Sequence, residues 1–536
     1  MRMKIAGLTV ATLLMFGSAA SAQDDHAGHG GMGSTFGRVH FETSCSPASQ
    51  EAFDRAVAIL HSFFYPETEK AFRAIAEQEP GCAMAYWGLA ISQRPNPLTA
   101  PFPQDLLKSG WGFIQQARAA TTATKRERDW IEALALFYEH YDTDAQQMRS
   151  LKYEAAMTRL HASYPKDNEA SVFYALSLLE AVDLTDKTYA RQLKAAALLE
   201  KLQKQLPNHP GIPHYLIHSY DYAPIAAKGL PAARRYATLA PSAPHALHMP
   251  SHTFSTLGMW HEAIEANLAA DAANRAYAVS TNPAAAANPA NIVARYHPLD
   301  FLENAYLQLG DDLAARAIVE ERNRLTVFPA TASITAHTGF AAIPVRYTLD
   351  RAAWKEAAAL TPLQSPFKQA EAVVWFGRAV GAARSGDLDG SKADLVEISQ
   401  RQKALAAAGD PYWAEQVGIQ EAAASAWIAL AGHETDRAIA LMRSAADRED
   451  RSEKHIAMEN RLSPMREMLG ELLLEAGNPR DSLREFQQSL HAVPNRRRSL
   501  TGAAVAAERS GNSKLAESYR RQLPPALAQQ SQAGAK

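Results

Sequence analysis

The sequence predicts an all-α protein built as a right-handed solenoid of stacked helix pairs, and three observations predict it. Strand-like alternation of apolar and polar residues is absent along the chain, while apolar and small residues recur at helical spacing. Pro80, Pro165, Pro207, Pro241 and Pro494 each close an amphipathic stretch a few residues before the next one begins, where proline's missing N–H and fixed φ are tolerated. At 536 residues the chain exceeds one ordinary domain, and with 47% hydrophobic residues it can bury a core, which a repeat array extends along its length.

Arg2 and Lys4 precede an apolar run from Ile5 to Phe16, and Ala20-Ser21-Ala22 follows with small residues, so residues 1–22 read as a secretory signal peptide. The run is too short to span a bilayer and no second stretch of about 18 apolar residues occurs, so no membrane span is expected. The expectation is an exported, soluble, periplasmic protein. Residues 23–47 form a flexible His/Gly-rich segment whose His26, His29 and Met32 have the composition of a copper or nickel trap. Cys45 and Cys82 are the only cysteines, and an oxidising compartment favours a disulfide that ties this segment to the start of the array; two buried free thiols are the alternative.

Residues 48–525 carry the array, and residues 526–536 a disordered tail. The stretch Phe72 to Pro80 and the run Tyr86-Trp87-Gly88-Leu89-Ala90 make one helix pair. Alanine-rich Ala195 to Leu206 permits close packing before Pro207. Tyr306, Gly310-Asp311 and Ala315 mark another pair, Trp375 to Gly386 another helix. The clearest unit is Ser463 to Arg496, with Leu469, Gly470, Leu473, Gly477, Ser482, Phe486, Ser489 and Pro494 in register. This unit resembles the tetratricopeptide repeat, a helix–turn–helix family of about 34 residues per repeat.

Six of the 18 histidines, His209, His214, His218, His245, His248 and His252, fall between residues 209 and 252. The tetratricopeptide resemblance implies that the second, fifth, ninth and twelfth places of each repeat face a concave groove. A repeat beginning at Pro210 puts His214, His218 and Asp221 in that row. One beginning at Pro244 adds His245, His248 and His252, and the repeat around Gly310-Asp311 adds His297, Asp300 and Asn304. His214 with His218, and His248 with His252, stand four residues apart on one helical face, a spacing that lets two imidazoles share a metal. The candidate metal set is therefore His214, His218, Asp221, His245, His248, His252, His297 and Asp300, with zinc, copper or iron as the ion. The two aspartates act either as ligands or as acceptors that fix an imidazole tautomer. Arg235 and Arg346 are candidate anion- or substrate-binding groups if they face the same groove.

The alternative is a metal-free scaffold whose groove holds a peptide or protein partner. A net charge of −2 gives no basic field for nucleic acid. No His-Glu-x-x-His, Cys-x-x-Cys, glycine-rich phosphate loop or Gly-x-Ser-x-Gly elbow occurs, so no reaction is assigned and catalysis stays open. The runs His209 to Asp221, Ala240 to His252 and Cys82 to Gly88 are similar to a group of exported bacterial tetratricopeptide proteins. That resemblance implies fold and export, and implies no chemistry.

Overall fold

Helix hairpins follow one another along the whole computed structural model, which describes residues 35–99, 101–325 and 327–524. The signal-peptide region, the His26 to Met32 stretch and residues 526–536 lie outside the described residues. Among the described residues there is no strand, and no helix is long and apolar enough to cross a membrane. The chain is an all-α helical-repeat solenoid. Pairs run from Pro47–His61 with Tyr65–Gln78 to Arg497–Arg509 with Ser513–Arg520, each helix packing on the next.

The two helices of a pair differ in how much of them is buried. The first is apolar or small nearly all round; every residue of Gly211–Tyr220 is buried, and almost every residue of Ile334–Asp350. The second shows water one face; Pro479–Ala492 buries only Ser482, Glu485, Phe486 and Ser489. First helices therefore line the inside of the solenoid and second helices its outside. Close packing depends on small residues at the crossings. A Cβ on Gly88 would stand 2.2 Å from the Phe72 ring, so glycine there lets Ala83–Ser92 meet Tyr65–Gln78, the second helix of the pair before it.

Cys45 and Cys82 are joined by a disulfide with Cα atoms 5.2 Å apart, fastening the segment before Pro47–His61 to the start of Ala83–Ser92. The first and last described helix pairs also pack on the middle of the array. Pro47–His61 touches Gly211–Tyr220, and Arg497–Arg509 touches Tyr296–Leu309. Gly258, at φ +66, makes the second closure possible: a Cβ there would meet the Pro494 carbonyl oxygen at 2.0 Å. The interior is crossed as well by the irregular segment 451–463. It is pinned by Glu453 N–H to the Leu184 carbonyl, by Tyr189 Oη–H to Glu453, and by Lys454 to Asp221. The concave face expected as an open groove is thus an interior, because the turns of the solenoid and this strap cover it.

Candidate metal centre

Three consecutive first helices meet at that interior: Gly211–Tyr220, the bent run Pro244–His248 and Pro250–Thr256, and Tyr296–Leu309. Pro250 lacks an N–H and divides the middle helix without disturbing the four-residue offset of His248 and His252. The first two helices carry histidines at that offset, and His245 and His297 complete two triads. His214, His218 and His245 bring one ring nitrogen each within 4.8 Å of one another, and so do His248, His252 and His297. Within the first triad His214 Nε2 lies 3.0 Å from His218 Nε2 and 3.1 Å from His245 Nε2. In the second, His248 Nε2 and His252 Nε2 are 3.1 Å apart.

The outer ring nitrogens explain why these atoms face each other. His61 ends its helix with a carbonyl that no later N–H of the helix can reach, and His214 Nδ1–H donates to it at 2.6 Å. His248 Nδ1–H donates to Asn267 Oδ1 at 2.7 Å. The Asn267 amide is oriented by its own Nδ2–H, which donates to the Ala263 carbonyl at 2.7 Å. His252 Nδ1–H donates to Asp221 Oδ2 at 2.9 Å. With the proton held on Nδ1, the Nε2 atoms of His214, His248 and His252 carry lone pairs. A carbonyl, amide or carboxylate behind an imidazole is the arrangement that orients metal-ligating histidines.

The pair His248 and His252 has no internal solution to its geometry. Two lone pairs at 3.1 Å in a buried site repel unless a cation lies between them. A proton is the wrong cation here. Burial pushes His214, His218, His245, His252 and His297 well below the ordinary imidazole range and His248 down to about 4; neighbouring imidazoles push the first five further the same way. Nitrogen ligands at about 2.0–2.1 Å from one metal ion stand about 3 Å apart, close to the spacings of His214 with His218 and His245, and of His248 with His252.

A phenylalanine covers each triad. Phe63 packs on His214, His218 and His245 with ring centroids 4.4, 6.0 and 5.5 Å away. Phe301 packs on His248, His252 and His297 at 4.7, 4.7 and 5.1 Å. Phe63 holds a left-handed φ of +50, a conformation that costs a non-glycine residue about 1–2 kcal/mol and that tertiary packing here sustains. Of the six triad imidazoles only His245 is not fully buried, so the first triad is the one nearer solvent.

The remaining expected residues fall into other roles. Asp221 stands behind His252 and also takes the Lys454 ammonium at 3.0 Å. Asp300 belongs to neither triad and pairs with Arg346 at 3.0 Å. Arg346 offers nothing to an anionic ligand: it is buried among Asp300, Glu303 and Glu459, the latter two at 3.5 and 3.4 Å. Burial pushes all three carboxyls up despite the guanidinium, more carboxyls than one cation can neutralise. Arg235 is half-buried and donates to the Pro207 carbonyl. His209 belongs to neither triad. It donates to Glu169 at 2.8 Å, whose other oxygen binds His61 Nε2 at 2.9 Å, while Tyr215 Oη meets His61 Nδ1 at 2.8 Å. Burial raises the Glu169 carboxyl, but the two imidazoles outweigh it and hold it at about 2. Both oxygens of that carboxylate are engaged, so this group buttresses His61, whose carbonyl in turn aims His214.

His61, Glu169, Asn267, Phe63, Phe301 and Lys454 were not singled out by sequence. Each reaches the centre from a different helix or loop, and none sits in a motif.

No family model matches the chain, and no curated protein does. Solved structures with a similar run of helices include human IFIT1, a dimer with m7Gppp-AAAA, at 12% identity and a TM-score of 0.34 over 82% of this chain and 89% of that one. Ypp1 matches at 9% identity and a TM-score of 0.44 over 89% and 81%. Yeast Tom70 matches at 12% identity and a TM-score of 0.34 over 87% and 96%.

Proposed function

We propose that this chain is an exported metalloprotein, in which each histidine triad holds one transition-metal ion inside a helical-repeat scaffold. The observation that carries the reading is the His248–His252 pair: two buried imidazoles, each with its proton fixed on Nδ1 by its own acceptor, point lone pairs at one another across 3.1 Å. An imidazole-only donor set suits zinc, copper and iron, and excludes magnesium and calcium, which take oxygen. His214, His218 and His245 would hold one ion; His248, His252 and His297 the other. A third neutral nitrogen in each triad leaves coordination positions for a further ligand. Export is supported by the leader-like residues 1–22 and by the disulfide. A peptide in the concave groove is disfavoured, since segment 451–463 and the chain's own turns already cover that face.

The test is elemental analysis of untagged protein after dialysis against zinc or copper, beside the double variant His248→Ala/His252→Ala. The expected result is about two ions per chain for the native sequence and about one for the variant, with far-UV helicity retained. Substoichiometric metal in the native protein, with a melting temperature unmoved by either ion, overturns the reading.

A further inference from the structure

The two triads abut: ring centroids stand 4.7–6.4 Å apart within them, and the gap across their boundary falls inside the upper end of that range. Ring centroids of His218 and His245, both in the first triad, are 6.4 Å apart. Across the boundary His218 and His252 are 6.3 Å apart, and His245 and His248 are also 6.3 Å apart. No layer of side chains fits between rings so placed, so the six imidazoles form one continuous shell. The backbone requires this. His245 and His248 lie three residues apart on a single helix turn, one serving each triad.

Resting on the metal reading above, we propose that the two ions form one dinuclear centre, and that this centre takes a small anion as a bridging ligand. Paired metal sites in proteins commonly hold their ions about 3.5–4 Å apart, a span one hydroxide-sized or azide-sized ligand bridges. The surroundings suit a ligand of that size and no larger one. Phe63 and Phe301 close the two ends with apolar rings, and His245 alone opens towards solvent. Six neutral imidazoles leave the charge of two divalent ions uncompensated within the shell. The nearest carboxylate, Asp221, is bound to His252 Nδ1 and to Lys454. A bridging anion supplies the missing negative charge, and buried charge without it is costly.

The two halves of the shell are not equally prepared. Acceptors orient His248 and His252 in the second triad, but only His214 in the first. His218 Nδ1 in the first triad and His297 Nδ1 in the second are both buried without a hydrogen-bond partner, so the second triad has two oriented rings and the first only one. The second triad therefore fills first.

Copper(II) is the probe, titrated into metal-free full-length protein and read by bound copper, by electron paramagnetic resonance and by absorption with added azide. The integrated spin signal is expected to rise until about one copper is bound per chain and then to fall by more than half as the second binds, because bridged copper(II) ions couple. Azide is expected to give a new absorption band only in the two-copper form. His245→Gln should bind about one copper and keep its full signal, which excludes reduction to copper(I) as the cause of the loss. Two coppers with full, azide-insensitive spin intensity would overturn the dinuclear proposal and leave metal binding intact. No specific copper uptake would overturn both.

Discussion

Replacing His297 by glutamine should make the metal-free protein less sensitive to acid, and the size follows from burial. His297 is held well below the ordinary imidazole range, first by burial and then by His248 and His252. In the unfolded chain it returns to about 6.5. Below that pH the unfolded state binds a proton that the folded state refuses, so stability is lost as pH falls from 6.5 towards the folded value. At pH 5.5 the unfolded imidazole is protonated about ten to one, which lowers folding stability by about 1.4 kcal/mol per histidine. Six such histidines together would remove about 8 kcal/mol, the scale of a whole domain's stability. Carboxyls pushed the other way oppose this; Glu180, raised by burial to about 7, gains a proton on folding over the same window and contributes about 2 kcal/mol. The readout is therefore a difference. Urea unfolding followed by tryptophan fluorescence at pH 7.5 and 5.5 should show His297→Gln losing about 1.4 kcal/mol less than the native sequence, whatever its stability at pH 7.5. Equal losses would mean that His297 is protonated in the folded state, and the argument for a metal between neutral imidazoles would fail with it.

Three further outcomes are expected. Zinc affinity should change less than about threefold between pH 7.5 and 6.0, because burial lowers the ligands' own proton affinity and holds His248 at about 4; a tenfold drop per pH unit would mark ordinary, exposed histidines. Asp221→Asn removes the carboxylate behind His252 and should weaken metal binding about 10–100-fold at unchanged far-UV helicity, measured by competition with a chromogenic chelator; an unchanged affinity would make Asp221 a partner of Lys454 alone. Cys45→Ser with Cys82→Ser opens a loop spanning 37 residues of sequence separation, and should cost about 4 kcal/mol in denaturant unfolding if the bridge acts through chain entropy; a loss under about 1 kcal/mol would contradict that.

Histidine spacing made the ligand-bearing face legible. His214 with His218, and His248 with His252, repeat a four-residue offset, and prolines at 210 and 244 put them in equivalent frames of a helix pair. Helix periodicity is a local property, so it survives reading the chain alone. Depth was not legible. The same residues were expected along an open groove, yet they are buried, because Arg497–Arg509 returns to Tyr296–Leu309 and segment 451–463 crosses between them. Such closures join residues more than a hundred positions apart and leave no period in the sequence. Arg346 misled for the same reason: its place in a repeat aims it inward, but Glu459, which meets it there, comes from the strap. His61 and Glu169 carry no local signal at all, since their part is to orient His214 from another repeat.

An open solenoid transmits stability only between neighbours, so its terminal repeats fray first and independently. Here the first helix is docked on the fifth repeat and the last helix pair on the seventh, which turns a linear chain of couplings into a loop. Loss of the first helix and the turn after it therefore removes Phe63 and the His61 carbonyl from the histidine shell directly, while loss of the last pair unsupports Tyr296–Leu309, the helix that carries His297. If the triads hold metal, proteolytic nicking near residue 495 should loosen its retention although the cut lies far from every histidine of the shell in sequence.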